Sequence, residues 1–146
     1  NKGFQVTGID LSSRMIEEAT KKEKRATFQV MDVTQLSFSS NSFDGVWANV
    51  IFLHLDREQF KKGLEELFRV LKPGGIVYVS VKKGEGKGFE SDERVRGVKK
   101  FWAYYQEADV KNFLQEAGFL LIEQNTSEMD HAMATHPFIR FIARKS

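Results

Sequence analysis

Gly3-Phe-Gln-Val-Thr-Gly-Ile-Asp10-Leu11-Ser12 is a short apolar run, with Phe4, Val6 and Ile9, that stops on an acid and reaches a helix-starting serine directly afterwards. This is the grammar of a strand handing over to a helix. In an open α/β sheet, ligands bind beyond the carboxyl ends of the strands, and an acid there is placed to hydrogen-bond ribose hydroxyls. Asp10 is therefore a candidate nucleoside ligand. The alternative is an acid that ends its strand and supports the turn.

The surrounding composition narrows the field. A chain of 146 residues with 41% hydrophobic and 29% charged residues is sized for one soluble domain with a real core. A net charge of +2, with Lys and Arg scattered, lacks the concentrated basic face that nucleic acid or an anionic membrane requires. The run Lys21, Lys22, Lys24, Arg25 fits the solvated end of a helix, where cations suit the dipole. There is no cysteine, which removes disulfides, thiolate metal sites and a cysteine nucleophile. No apolar run approaches the roughly 18 residues needed to span a bilayer, and a cytoplasmic location is the default expectation.

Working outward, Ser12 caps a helix that turns Met15, Ile16 and Ala19 inward. Residues 26–33 alternate apolar and polar at the strand period and end near a second acid, Asp32. Residues 35–42 form a polar loop anchored by Leu36 and Phe38. Residues 43–48, Phe-Asp-Gly-Val-Trp-Ala, are apolar enough for a strand buried on both faces. After Asn49, Asp56 and Gln59 make a capping-box pair ahead of a helix with Phe60, Leu64, Leu67, Phe68 and Leu71 on one face. Lys72-Pro73-Gly74-Gly75 stops it and turns into a strand over residues 76–81. Residues 82–96 are charged and glycine-containing, which predicts a mobile loop. An aromatic cluster, Phe101, Trp102, Tyr104 and Tyr105, precedes a helix with Val110, Phe113, Leu114 and Ala117, closed by Gly118. Residues 119–124 and 138–143 are closing strands joined without a helix, which argues for an antiparallel pair on an otherwise parallel sheet.

In order and spacing these segments resemble a class I S-adenosylmethionine-dependent methyltransferase. The resemblance rests on Val6–Ser12 with Asp10, Phe28-Gln-Val-Met-Asp32-Val33, Ser42-Phe-Asp-Gly-Val-Trp47, Arg69-Val-Leu-Lys-Pro-Gly-Gly75, Glu116-Ala-Gly-Phe119 and Ile142-Ala-Arg-Lys145. It implies a Rossmann-like, mostly parallel α/β sheet flanked by helices, with a C-terminal antiparallel strand pair, in a single domain. It implies S-adenosyl-L-methionine as cofactor. Asp10 would bind the ribose hydroxyls, Leu11 would pack on the adenine, and Asp32 would accept from the adenine amino group beside the Val33 backbone. Asn49 would face the methionine part through its backbone carbonyl. For Leu11 and Val33 plain core packing is the alternative. The family's first central strand and its glycine-rich loop have no counterpart in this sequence. The expectation is then an N-terminally incomplete domain that binds S-adenosylmethionine weakly or not at all, and a gap in the sheet that drives self-association. Gly84-Glu85-Gly86-Lys87-Gly88 does not replace the loop, since no apolar-periodic helix follows it; it reads as a flexible loop.

Methyl transfer from a sulfonium requires alignment above all, and a base only where the acceptor has a proton to lose. His54 is a candidate base, weighed against a structural histidine at a helix start. Tyr104 and Tyr105 are candidate acceptor contacts, weighed against core or lid packing. Asn49-Val50-Ile51-Phe52 lacks the prolines of the Asn-Pro-Pro-aromatic motif of amino-group methyltransferases, which favours a small-molecule acceptor over nucleic acid or protein. Asp130, His131 and His136 lie in a polar loop and are assigned no metal. The rival functions are a non-catalytic protein of the same fold and a nicotinamide dehydrogenase, which also places a strand-end acid on ribose. The dehydrogenase accounts for neither Asp32 nor the closing antiparallel pair.

Overall fold

The structure is a computed structural model that describes residues 2–91, 99–127 and 136–146. The opening run forms β1 (Thr7–Asp10), paired in parallel with β2 (Thr27–Val30) so that Asp10 stands opposite Val30. Between them α1 (Ser13–Lys22) starts on Ser12, whose hydroxyl accepts the Met15 N–H and so satisfies an orphan donor of the first turn. Met15 is not an inward residue: it is 57% exposed, while Ile16 and Ala19 are partly buried. The sheet beneath α1 has two strands and is too narrow to cover a third apolar side chain.

The second half of the chain builds the core. β3 (Phe43–Asn49) leads through a 3-10 turn (Ile51–His54) to α2 (Arg57–Val70), which returns to β4 (Leu71–Lys82), parallel to β3. Asp56 and Gln59 cap α2 reciprocally, as the sequence predicts. β4 begins earlier than predicted. Leu71 already pairs with Phe43, and the Lys72–Gly75 stretch is an irregularity within the strand, with Gly74 at φ +79°. Within the segment read as a mobile loop, Lys87–Ser91 is instead a strand, β5, paired antiparallel with β6 (Lys99–Ala103) so that Phe89 stands opposite Phe101 and Gly88 opposite Trp102; residues 92–96 of that segment lie outside the described residues. Glycine at 88 leaves room for the Trp102 ring, which would stand 3.2 Å from an added Cβ. α3 (Glu107–Glu116) then leads to β7 (Phe119–Ser127) and β8 (Phe138–Lys145). β8 inserts antiparallel between β4 and β7, giving the order β3-β4-β8-β7.

One face of this sheet, Ala48, Val77, Val79, Val81, Ile139, Phe141 and Ala143, is sealed with α2 and α3 residues in a single core. The other face is exposed around Trp47 and Ile76 and closes over at Ser80, which is buried. Trp47 is 71% exposed and stacks on Tyr78 with ring centroids 3.8 Å apart. β3 is therefore covered on one face only, which corrects the two-faced burial read from its composition. β1 and β3 share no ladder, and the resemblance places a further strand between them. Among the described residues, no helix is long and apolar enough to cross a membrane.

Candidate functional site

The acids that the sequence singles out come together at the ends of β1 and β2. The Asp10 carbonyl accepts the Met31 N–H at 3.0 Å, which ties the turn after β2 to the end of β1. The Asp10 carboxylate is exposed and accepts the Ser12 N–H through Oδ1 at 2.7 Å, leaving Oδ2 without a bond among the described residues. Asp32 is partly buried, and its Oδ1 accepts from both the backbone N–H and the hydroxyl of Thr34 at 2.8 and 2.7 Å. Its Oδ2 is likewise unengaged by the described residues. Each carboxylate is thus oriented by its own turn and retains one oxygen for an external donor. Leu11 is 66% exposed beside Asp10 and presents an apolar surface there. Val33 is partly buried and packs toward α2, where an added Cβ on Gly63 would meet its Cγ1 at 3.6 Å.

Asn49 ends β3 at a sharp break. Val50 has φ 60° and ψ 14°, a left-handed conformation that a β-branched residue adopts at a cost. Ser80, 1% exposed on β4, holds the break. Its hydroxyl donates to Asn49 Oδ1 at 2.6 Å, and its Oγ and backbone carbonyl both lie 3.1 Å from the Val50 nitrogen. In a trans peptide the C=O and N–H point oppositely. With the Val50 N–H turned to β4, the Asn49 carbonyl points away from it, to the unpaired edge of β3. Ser80 has no signature in the sequence, where it stands among alternating valines as any strand serine would.

Beyond the end of β4 lies an open cavity of about 540 Å³, lined by Gly84, Lys87, Phe101, Tyr104, Asp56 and the Arg57–Asp109 ion pair among others. Tyr104 presents a partly buried ring, stacked on His136 at 3.9 Å. Tyr105 borders the same cavity but is 2% exposed, and its hydroxyl donates to the Leu55 carbonyl at 2.7 Å. Burial pushes its hydroxyl pKa up to about 12. Its ring and hydroxyl are thus already occupied by the fold. His54 is exposed, with Nδ1 2.9 Å from the Phe101 carbonyl. A carbonyl can only accept, so Nδ1 carries a proton and the free lone pair of the imidazole form is that of Nε2. Tyr104 lines the cavity and His54 is bonded to the carbonyl of its lining residue Phe101, whereas Asp10 and Asp32 stand at the ends of β1 and β2. Asp130 and His131 lie outside the described residues. Among the described residues no cluster of His, Asp and Glu is arranged to hold a metal ion.

This arrangement has known counterparts. Residues 1–79 match the family described as methyltransferase domain. Over 82 residues the chain is 43% identical to 2-methyl-6-phytyl-1,4-hydroquinone methyltransferase of a Synechocystis strain, covering 53% of this chain and 25% of that protein. Over 126 residues it is 32% identical to the demethylmenaquinone methyltransferase of Porphyromonas gingivalis, covering 77% of this chain and 50% of that protein. The chain thus spans between a quarter and a half of the length of these curated relatives. Among solved structures, a SAM-dependent methyltransferase from Methanosarcina mazei superposes with a TM-score of 0.86 at 22% identity, over 99% of this chain and 83% of that one. The Burkholderia thailandensis 1,6-didemethyltoxoflavin-N1-methyltransferase, solved with its acceptor and S-adenosylhomocysteine, gives 0.77 at 20% identity, over 99% and 63%. The match over more than half the chain, on a fold whose strand ends carry these acids, places the protein in the class I methyltransferase-domain family, whose cofactor is S-adenosylmethionine.

Proposed function

We propose that this chain carries the nucleoside-binding part of an S-adenosylmethionine-dependent methyltransferase that acts on a small-molecule acceptor. The observation that carries the reading is the nearness of Asp10 and Asp32, with Met31 beside Asp32 tied by its N–H to the Asp10 carbonyl and each acid with one carboxylate oxygen left for a ligand. Asp10 Oδ2 takes the ribose hydroxyls, Leu11 lies against the adenine, and Asp32 accepts from the adenine amino group beside the Val33 backbone. The Asn49 carbonyl, turned to the unpaired edge of β3, receives the methionine ammonium. When bound, the cofactor supplies a methyl group on a sulfonium, and the protein's task is to align an acceptor with it.

Relatives named for a phytyl hydroquinone, a demethylmenaquinone and a toxoflavin precursor support a small-molecule acceptor. The cavity beyond β4, with Tyr104 in its wall, is the place for it. His54 Nε2 is the group available to take a proton from an acceptor that has one to lose. The unpaired edges of β1 and β3 and the open face around Trp47 make self-association part of the same proposal. Parallel titrations with S-adenosylhomocysteine and NAD test the reading. Weak stabilisation by the former alone is expected, in line with the weak binding expected from the sequence, and stabilisation by NAD alone would favour a dehydrogenase.

A further inference from the structure

We propose that Glu66 and Arg69 are a positioning pair for the adenine end of the cofactor site, fixing the segment after β2 so that Asp32 stands where an adenine amino group can reach it. The inference rests on the reading of Asp10 and Asp32 given above. β2 ends at Val30, and no helix or strand intervenes before β3 at Phe43. The place of Asp32 is therefore set by whatever grips this connection. α2 grips it through Glu66 and Arg69, from 30 or more residues away in sequence.

Glu66 Oε2 accepts the Leu36 N–H at 2.7 Å, and Arg69 Nη2 donates to the Leu36 carbonyl at 2.9 Å. The other arm, Nη1, donates to the Phe38 carbonyl at 2.7 Å. The side chains lock each other, Arg69 Nε to Glu66 Oε1 at 2.8 Å and Nη2 to Oε2 at 2.9 Å. Glu66 thus holds the Leu36 N–H, while the planar Arg69 fork holds the carbonyls of Leu36 and Phe38 in a way that lysine cannot reproduce. From Leu36 the restraint passes back through a tight turn. The Gln35 N–H donates to the Asp32 carbonyl at 3.0 Å, and Thr34 holds Asp32 Oδ1 from its N–H and its hydroxyl. A shift of Leu36 therefore moves the Asp32 carboxylate with it.

Adenosine and inosine separate this role from mere bracing. They share the ribose, but inosine presents a carbonyl oxygen where adenosine has its amino group. The ratio of their dissociation constants reads the Asp32 contact, and any loss of folded protein cancels from it. Both nucleosides are titrated into the 146-residue chain and followed by amide NMR shifts. The wild type is expected to prefer adenosine by about tenfold, the size of one hydrogen bond to a charged group. Asp32→Asn should erase most of that preference, and Asp10→Asn should weaken both nucleosides alike. Glu66→Gln and Arg69→Lys should each cut the preference by about threefold or more, a partial loss of that same hydrogen bond. If Asp32→Asn erases the preference while both α2 variants retain it, the positioning role is overturned and the site reading stands. If the wild type binds neither nucleoside, or Asp32→Asn leaves the preference intact, the site reading fails and the positioning role with it.

Discussion

Val50 is the residue at which local strain and the proposed site meet. A left-handed, β-branched residue costs about 1–2 kcal/mol, and it persists here because Ser80 supplies two acceptors to its N–H while donating to Asn49. Replacing Ser80 with alanine removes the hydroxyl from both contacts at a fully buried position. The loss should be about 1–3 kcal/mol in a urea titration, the range for a buried polar network that loses one partner. In a Val50→Gly background, where the left-handed conformation is free of strain, the same substitution should cost less. An undiminished loss would show that Ser80 holds no strain. The sequence offers Asn49 as a candidate site residue through the family resemblance. It gives no sign of Ser80, since a serine between valines carries no mark of what its neighbouring strand brings opposite it.

At the scale of elements, α2 is legible almost to the residue, because its capping box and its apolar stripe are both local signals. Its grip on the connection after β2 is not, since Glu66 and Arg69 read as an ordinary solvated i,i+3 pair. The same grip makes a pH prediction. The hydrogen bond from Arg69, opposed by partial burial and helped by the Leu36 N–H, holds the Glu66 carboxyl below its ordinary value of 4.5. A pKa lowered in the folded state gives stability that is complete above the unfolded carboxylate value and drains away as pH falls through the folded one. The urea midpoint of the wild type should therefore fall more steeply below about pH 4.5 than that of Glu66→Gln. Glu107, held low by Thr126, Lys83 and Gln124, contributes an acid slope of the same sign in both proteins. Equal slopes would remove Glu66 from the account. The β5–β6 pair was missed in the sequence because neither Lys-Gly-Phe-Glu-Ser nor Lys-Lys-Phe-Trp-Ala shows the apolar–polar alternation of a strand. Its pairing is carried by backbone and by ring contacts such as Phe89 on Phe101, across strands rather than along them.

For the whole molecule, the α/β class, the parallel β3–β4 pair and the closing antiparallel strands follow from the order of periodic segments. Which faces are covered does not. An apolar strand such as β3 reveals which side chains favour burial, and Trp47 at 71% exposure shows that cover is not guaranteed by composition. The open face with Trp47, Tyr78 and Ile76, together with the unpaired edges of β1 and β3, leads us to expect self-association. Sedimentation should show species above monomer that decline in Trp47→Lys, and a wild type that is wholly monomeric would contradict this. The central claim is that Asp10, Leu11, Asp32 and Val33 form the nucleoside end of an S-adenosylmethionine site. Its most direct test is an amide NMR titration of this chain with S-adenosylhomocysteine, with NAD in parallel. The account predicts saturable shifts concentrated at Leu11, Asp32 and Val33 with S-adenosylhomocysteine, and weaker or absent shifts with NAD. Shifts confined to other surfaces, or shifts at these amides with NAD alone, would contradict it.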